Sequence, residues 1–156
     1  MLFNFLRENF EPPHLALLRE ITLFSDLTYG ELRTLYSLLH QRNYVKDEIV
    51  FDEDEEGQAI YFILKGKVLI CRQGRPVEGA IAELGEGQFF GELALLDDAP
   101  RMAQVRAADE CVLAVLFRDD FLGLLQTHTL IASKISLQLA RHIGQRLRRA
   151  VIKYVV

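Results

Sequence analysis

Residues 57–71 read GQAIYFILKGKVLIC, and this segment decides the fold. It contains two short β-rich runs, Ala59–Leu64 and Lys67–Cys71, set off by Gly57 and Gly66. Apolar runs of that length between turn residues predict strand, tight turn, strand. The same grammar continues outward. Glu48–Phe51 lies upstream, and Ala80–Leu84, Ala103–Ala107 and Cys111–Phe117 lie downstream. Gly74-Arg75-Pro76 and Gly85/Gly87 supply further turns. Short strands with regular turns predict a β-roll or jelly-roll barrel over residues 43–117.

Both flanks change period. After Pro12-Pro13, Leu15, Leu17, Leu18, Ile21 and Phe24 recur at helical spacing, and Leu32, Leu35, Leu38 and Leu39 follow behind Ser25 or Thr28 as a cap. Residues 1–42 therefore read as N-terminal helices. Residues 118–156 read as C-terminal ones: a short helix with Phe121, Leu122, Leu124 and Leu125, then a long one from Thr127 or Thr129 to about Val151. The expected architecture is mainly β with flanking helices, one domain over residues 1–156. The chain's 156 residues suit a single domain with a core of its own.

Composition narrows the function. A net charge of −4 gives no electrostatic basis for a nucleic-acid surface. Cys71 and Cys111 stand apart in apolar runs and read as buried small hydrophobes, not as a disulfide or zinc pair. His14, His40, His128 and His142 show no metal-ligand spacing, and no nucleophile motif appears, so no metal and no catalytic residue is expected. The acidic run Asp52–Glu56 lacks EF-hand spacing and reads as a solvated turn. Met1–Phe10 is interrupted by polar residues, and no run is long enough to span a bilayer, which makes the cytoplasm the expected compartment.

Residues 89–103, FFGELALLDDAPRMA, carry the chemistry. Gly91 permits close backbone approach, and the turn after it offers backbone N–H groups to an anion. Arg101 adds a planar cationic fork suited to phosphate oxygens. Glu92 is an acceptor for a sugar hydroxyl. A phosphate with a ribose suits this set, whereas for any one of these residues alone a turn glycine and a surface Glu92–Arg101 ion pair would be the simpler reading.

This stretch resembles the phosphate-binding cassette of cyclic-nucleotide-binding domains, with its Glu-to-Arg interval unchanged. The resemblance runs over about residues 20–150 and includes Val50-Phe51 and the segment 57–68. It implies a non-catalytic sensor in which Glu92 accepts the ribose 2′-hydroxyl and Arg101 pairs with the cyclic phosphate. Gly91, Leu93, Ala94, Met102 and Ala103 would complete the ligand-binding set. Asp47 and Asp54 replace family glycines at two turns, which aspartate tolerates. Met102 replaces a small residue; threonine there accompanies guanine selectivity, so cAMP is expected ahead of cGMP.

The long helix carries two stripes. Ile131, Ile135, Leu139 and Ile143 are placed to lie on the barrel. Leu130, Ser133, Leu137, Ala140, Gly144, Leu147, Val151 and Tyr154 form a heptad seam that would join a homodimer. Arg141, Arg146, Arg148, Arg149 and Lys153 make this helix basic, as a helix C-terminus favours. Arg146 and Leu147 stand where the catabolite activator protein has hydroxyl contacts to the base; Arg146 is expected to stack on the purine instead. The signal would pass through movement of this helix to an effector protein that the sequence does not identify. Direct DNA binding is not expected, since the chain ends where a helix-turn-helix would begin. Two alternatives stay open: a degenerate fold acting as an interaction module, and a transcription regulator lacking its own DNA-binding domain.

Overall fold

The computed structural model describes residues 14–72 and 79–155. Helix α1 (Leu15–Glu20) stops short of Phe24, and a separate 3-10 turn, Thr22–Phe24, follows an extended Ile21. Helix α2 (Tyr29–Tyr36) is capped by Thr28 and not by Ser25. The Glu31 backbone N–H donates to Thr28 Oγ1, and the Thr28 N–H donates to Glu31 Oε2. This reciprocal box satisfies two donors that a bare helix start leaves open.

Eight strands follow: β1 (His40–Tyr44), β2 (Ile49–Phe51), β3 (Ala59–Lys65), β4 (Val68–Cys71), β5 (Ala82–Leu84), β6 (Phe89–Phe90), β7 (Gln104–Ala107) and β8 (Cys111–Phe117). They form two antiparallel sheets, ordered β1-β8-β3-β6 and β2-β7-β4-β5. Helices α3 (Arg118–Thr127) and α4 (Thr129–Val155) close the chain. The mainly-β architecture with flanking helices and a long C-terminal helix is the expected one.

Three expectations change in detail. The β region begins at His40 and not at residue 43, because β1 pairs with β8 from His40↔Val115 to Tyr44↔Cys111. Strand β6 sits inside the segment 89–103, pairing Phe89 and Phe90 with Phe62 and Tyr61. The strands expected at Glu48, Lys67, Ala80 and Ala103 each begin one or two residues later. The expected turn Gly74-Arg75-Pro76 and the calls on residues 1–13 and Val156 fall outside the described residues.

Strand β3 explains why its sequence is almost continuously apolar. Ile60, Phe62 and Leu64 face the helical layer, packing with Leu18, Phe24, Leu35, Phe121, Ile135 and Leu139. Ile63, on the opposite face, packs between the sheets with Phe51, Val68, Phe90, Val105 and Leu113. A strand covered on both faces has no solvent side on which to alternate. Full burial of such side chains contributes roughly 1.5–3 kcal/mol each. Both cysteines are buried and free.

The two stripes of α4 separate as expected. Ile131, Ile135 and Leu139 are buried, and Ile143 packs against the same core. Leu130, Leu137, Leu147, Val151 and Tyr154 are exposed. A polar strut adds to the apolar contact: Lys134 Nζ donates to Glu31 Oε2 at 2.8 Å, tying α4 to α2. That bond is the main reason the Glu31 carboxyl titrates below its ordinary value. Among the described residues, no helix is long and apolar enough to cross a membrane.

Asp47 and Asp54 hold φ near 70°, the left-handed conformation their turns require. Gly66 is less replaceable. Its φ is +85°, and an added Cβ would lie 2.3 Å from the Glu110 carbonyl oxygen. Gly66→Ala is expected to cost about 1–3 kcal/mol from backbone strain alone. Chemical denaturation checks this, and an unchanged midpoint would contradict it.

Candidate functional site

The acidic run that reads as a solvated turn has a structural task. The Asp54 N–H donates to the Arg101 carbonyl at 2.9 Å, and the Arg101 N–H donates to the Glu55 carbonyl at 2.8 Å. A bridge between Glu56 and Pro100 extends the pairing. The backbone of Arg101 is thereby fixed, and its side chain turns inward.

There Arg101 is 8 % exposed. One terminal nitrogen donates to the Ala59 carbonyl at 2.8 Å and the other to the Gly91 carbonyl at 3.2 Å. Cζ lies 4.0 Å from the Phe51 ring centroid and 5.8 Å from that of Tyr61. The Nε–H is buried and has no hydrogen-bond partner among the described residues. Burial is the largest influence on this group and lowers its pKa, against the opposing fields of Tyr61, Glu55 and Glu92. A buried cation held only by carbonyls and rings retains a strong attraction for an anion.

Two glycines make room for it. At Gly91, where φ is +75°, a Cβ would stand 2.6 Å from an Arg101 nitrogen. At Gly57 a Cβ would stand 3.2 Å from Cζ. After Gly91 the chain forms the 3-10 turn Glu92–Leu95, close to the helical turn expected at 92–96.

Glu92 is 4 % exposed and does not pair with Arg101, so the surface ion-pair alternative is excluded. Its carboxylate instead accepts a hydrogen bond from Arg146 of α4. His142, one turn earlier on α4, holds Nε2 3.7 Å from the same oxygen, with its ring 4.7 Å from that of Phe89. The remaining residues of the set are distributed around this core. Ala94 is buried, Ala103 half-buried and Leu93 exposed. Met102 is 74 % exposed, so its thioether does not crowd the barrel interior.

Two features of α4 were not expected from the sequence. Arg146 is engaged with Glu92, a buried carboxylate within its reach. His142 was missed, having been weighed only as a metal ligand. Its spacing of four residues from Arg146 is the signal that places both on one helix face.

The family profile described as the cyclic nucleotide-binding domain matches residues 41–128. The cyclic AMP receptor protein of Thermus thermophilus is 36% identical over 126 residues, covering 79% of this chain and 57% of that protein. A cAMP-dependent protein kinase regulatory subunit from Debaryomyces hansenii is 34% identical over 108 residues, covering 69% of this chain and 23% of its own length. This chain therefore spans little more than half of the first relative and about a quarter of the second. Among solved structures, the Thermus thermophilus catabolite activator protein superposes with a TM-score of 0.75 at 32% identity, covering 85% of this chain and 61% of that one. A cyclic nucleotide-binding domain from Methylobacillus flagellatus gives 0.76 at 28% identity, covering 90% and 80%.

His142 is the group beside Glu92 through which pH is expected to act. Desolvation lowers the His142 pKa below the ordinary 6.5; the nearby Glu92 opposes this, while Arg146 and Arg149 reinforce it. Because the folded-state value is depressed, stability from neutral His142 is present above the unfolded value and lost as pH falls through the folded one. Thermal melts between about pH 8 and pH 5 should fall less steeply for His142→Gln than for the wild type. Parallel curves would remove His142 from the pH response.

Proposed function

The chain belongs to the cyclic nucleotide-binding domain family, and from that premise we propose that it is a reversible sensor, binding cAMP in preference to cGMP and reporting occupancy through α4. The observation that carries this reading is Arg101: a buried guanidinium without a carboxylate partner among the described residues, its Nε–H unsatisfied, beside two glycines. A cyclic phosphate supplies the acceptor that this group lacks. The preference for cAMP rests on Met102, which offers no hydroxyl where the family's guanine-selective members carry threonine.

Binding then changes α4 by competition. The Arg146 guanidinium occupies the Glu92 carboxylate on which the ribose 2′-hydroxyl would also call. A nucleotide that engages Glu92 displaces Arg146 and His142, and the end of α4 loses its polar anchor. The signal is the difference in affinity between anchored and released states, with no chemical step.

The exposed seam of Leu130, Leu137, Leu147, Val151 and Tyr154 supports a second copy of the chain as the neighbour of α4. Sedimentation should give a dimer for the wild type and a monomer for Leu147→Asp, since an unpaired carboxylate is costly in a seam. A monomeric wild type at high concentration rejects the dimer.

Calorimetric titration tests the sensor. Arg101→Ala should weaken cAMP binding by about 2–5 kcal/mol. Melting is measured alongside, because Arg101 also ties the Gly91 and Ala59 carbonyls. Arg146→Ala should tighten binding two- to fivefold, about 0.4–1 kcal/mol, the range of a partly exposed ion pair. Undiminished affinity in folded Arg101→Ala rejects the phosphate assignment. Weaker binding in Arg146→Ala rejects competition and returns Arg146 to the face of the base.

A further inference from the structure

Arg118 is the first residue of α3, where a cation opposes the positive end of the helix dipole. Asp119 and Asp120 follow it and suit that position; Arg118 does not. A residue that breaks the local rule is held by something else. Its side chain is only 15% exposed and turns back to the ligand-binding segment.

The contacts converge from two directions. One terminal nitrogen, Nη1, reaches the carbonyls of Ala94 at 3.2 Å and Asp97 at 2.6 Å, both past the Gly91 turn. The same nitrogen reaches the Gly57 carbonyl at 3.1 Å, ahead of β3. Nη2 lies 3.0 Å from an Asp98 carboxylate oxygen. The Arg118 backbone N–H donates to the Gln58 carbonyl at 2.8 Å. Nη1 carries two protons and faces three acceptors, so it cannot bond all three well at once. Any displacement of Ala94 and Asp97 relative to Gly57 redistributes those bonds.

Residues 57–59 are thus a rail gripped by two arginines. Arg101 holds the Ala59 carbonyl, and Arg118 holds Gly57 and Gln58. Arg101 would let go of Ala59 on turning to a phosphate; Arg118 faces no ligand group and keeps its grip.

We propose that Arg118 is a positioning residue that couples the 92–98 segment to α3, so that movement of this segment on nucleotide binding is passed to the α3–α4 junction. The proposal rests on the sensor reading. It adds a second route to α4, independent of the Arg146–Glu92 contact at the helix's far end.

Amide hydrogen exchange of the full chain, with and without saturating cAMP, tests it. In the wild type, nucleotide should change exchange both at residues 91–98 and at the α3–α4 junction. In Arg118→Gln the change at 91–98 should persist while that at the junction falls to less than about half, reflecting coupling lost at one hydrogen-bonded cation. A merely structural role would scale both responses together. Arg118→Lys keeps the Asp98 pair without the fork and should be intermediate; it decides the matter if Arg118→Gln does not fold. A junction response that survives intact overturns the coupling alone. A wild type that neither binds nor responds overturns the sensor reading and the coupling with it.

Discussion

The burial of the Arg101 guanidinium constrains everything around it. A cation in a protein interior demands acceptors, and here the backbone provides them at Gly91 and Ala59. That demand suits two glycines, Gly91, whose Cβ would collide with the side chain, and Gly57, whose Cβ would crowd it. The backbone of the acidic run pairs with that of Arg101 and fixes where the side chain starts. Phe51 and Tyr61 complete the enclosure with ring faces. The aromatic cluster is itself ordered, with Tyr61 and Phe90 stacked at 5.2 Å and 3°. The guanidinium is thus poised between satisfied and unsatisfied, with its Nε left without a partner among the described residues.

Helix α4 joins two kinds of surface. Its N-terminal half belongs to the core through Ile131, Ile135 and Leu139, and that attachment is apolar. Further along, its attachment to Glu92 is polar and rests on Arg146 and His142. The halves therefore respond to different conditions. Salt and pH act on the polar contact and leave the apolar one in place. Division of labour along one helix lets its end move without unfolding the domain.

Much of this was legible in the sequence, for physical reasons that differ by element. Strand β3 was clear because it is buried on both faces and so is apolar throughout. Strand β1 was not: His40, Gln41, Arg42 and Asn43 are exposed on a sheet edge, and polar edge residues carry no alternation. Strand β6 is two residues long, below the reach of any periodicity. The membership of Glu92 and Arg101 in one candidate segment followed from the resemblance that residues 89–103 carry. Their separation did not, because the ion pair that forms joins Glu92 to a residue fifty-four positions away. Such a partner is settled by tertiary packing, which the pattern of one helix does not encode.

The pairing of β1 with β8 has a consequence for how the molecule comes to exist. The sheet that receives the helices takes its first strand from residues 40–44 and its central one from residues 111–117. During synthesis, β1 therefore waits unpaired while some seventy further residues are added, and α1 and α2 lack much of the surface they cover. Pairing at such separation is slow, since loop closure precedes any reward. The face of β3 stays incompletely covered for longer still, since Phe121, Ile135 and Leu139 in the layer over it follow β8. A chain stopped before β8 has no partner for β1 and an unpaired edge on β3, so the domain is assembled almost whole or not at all.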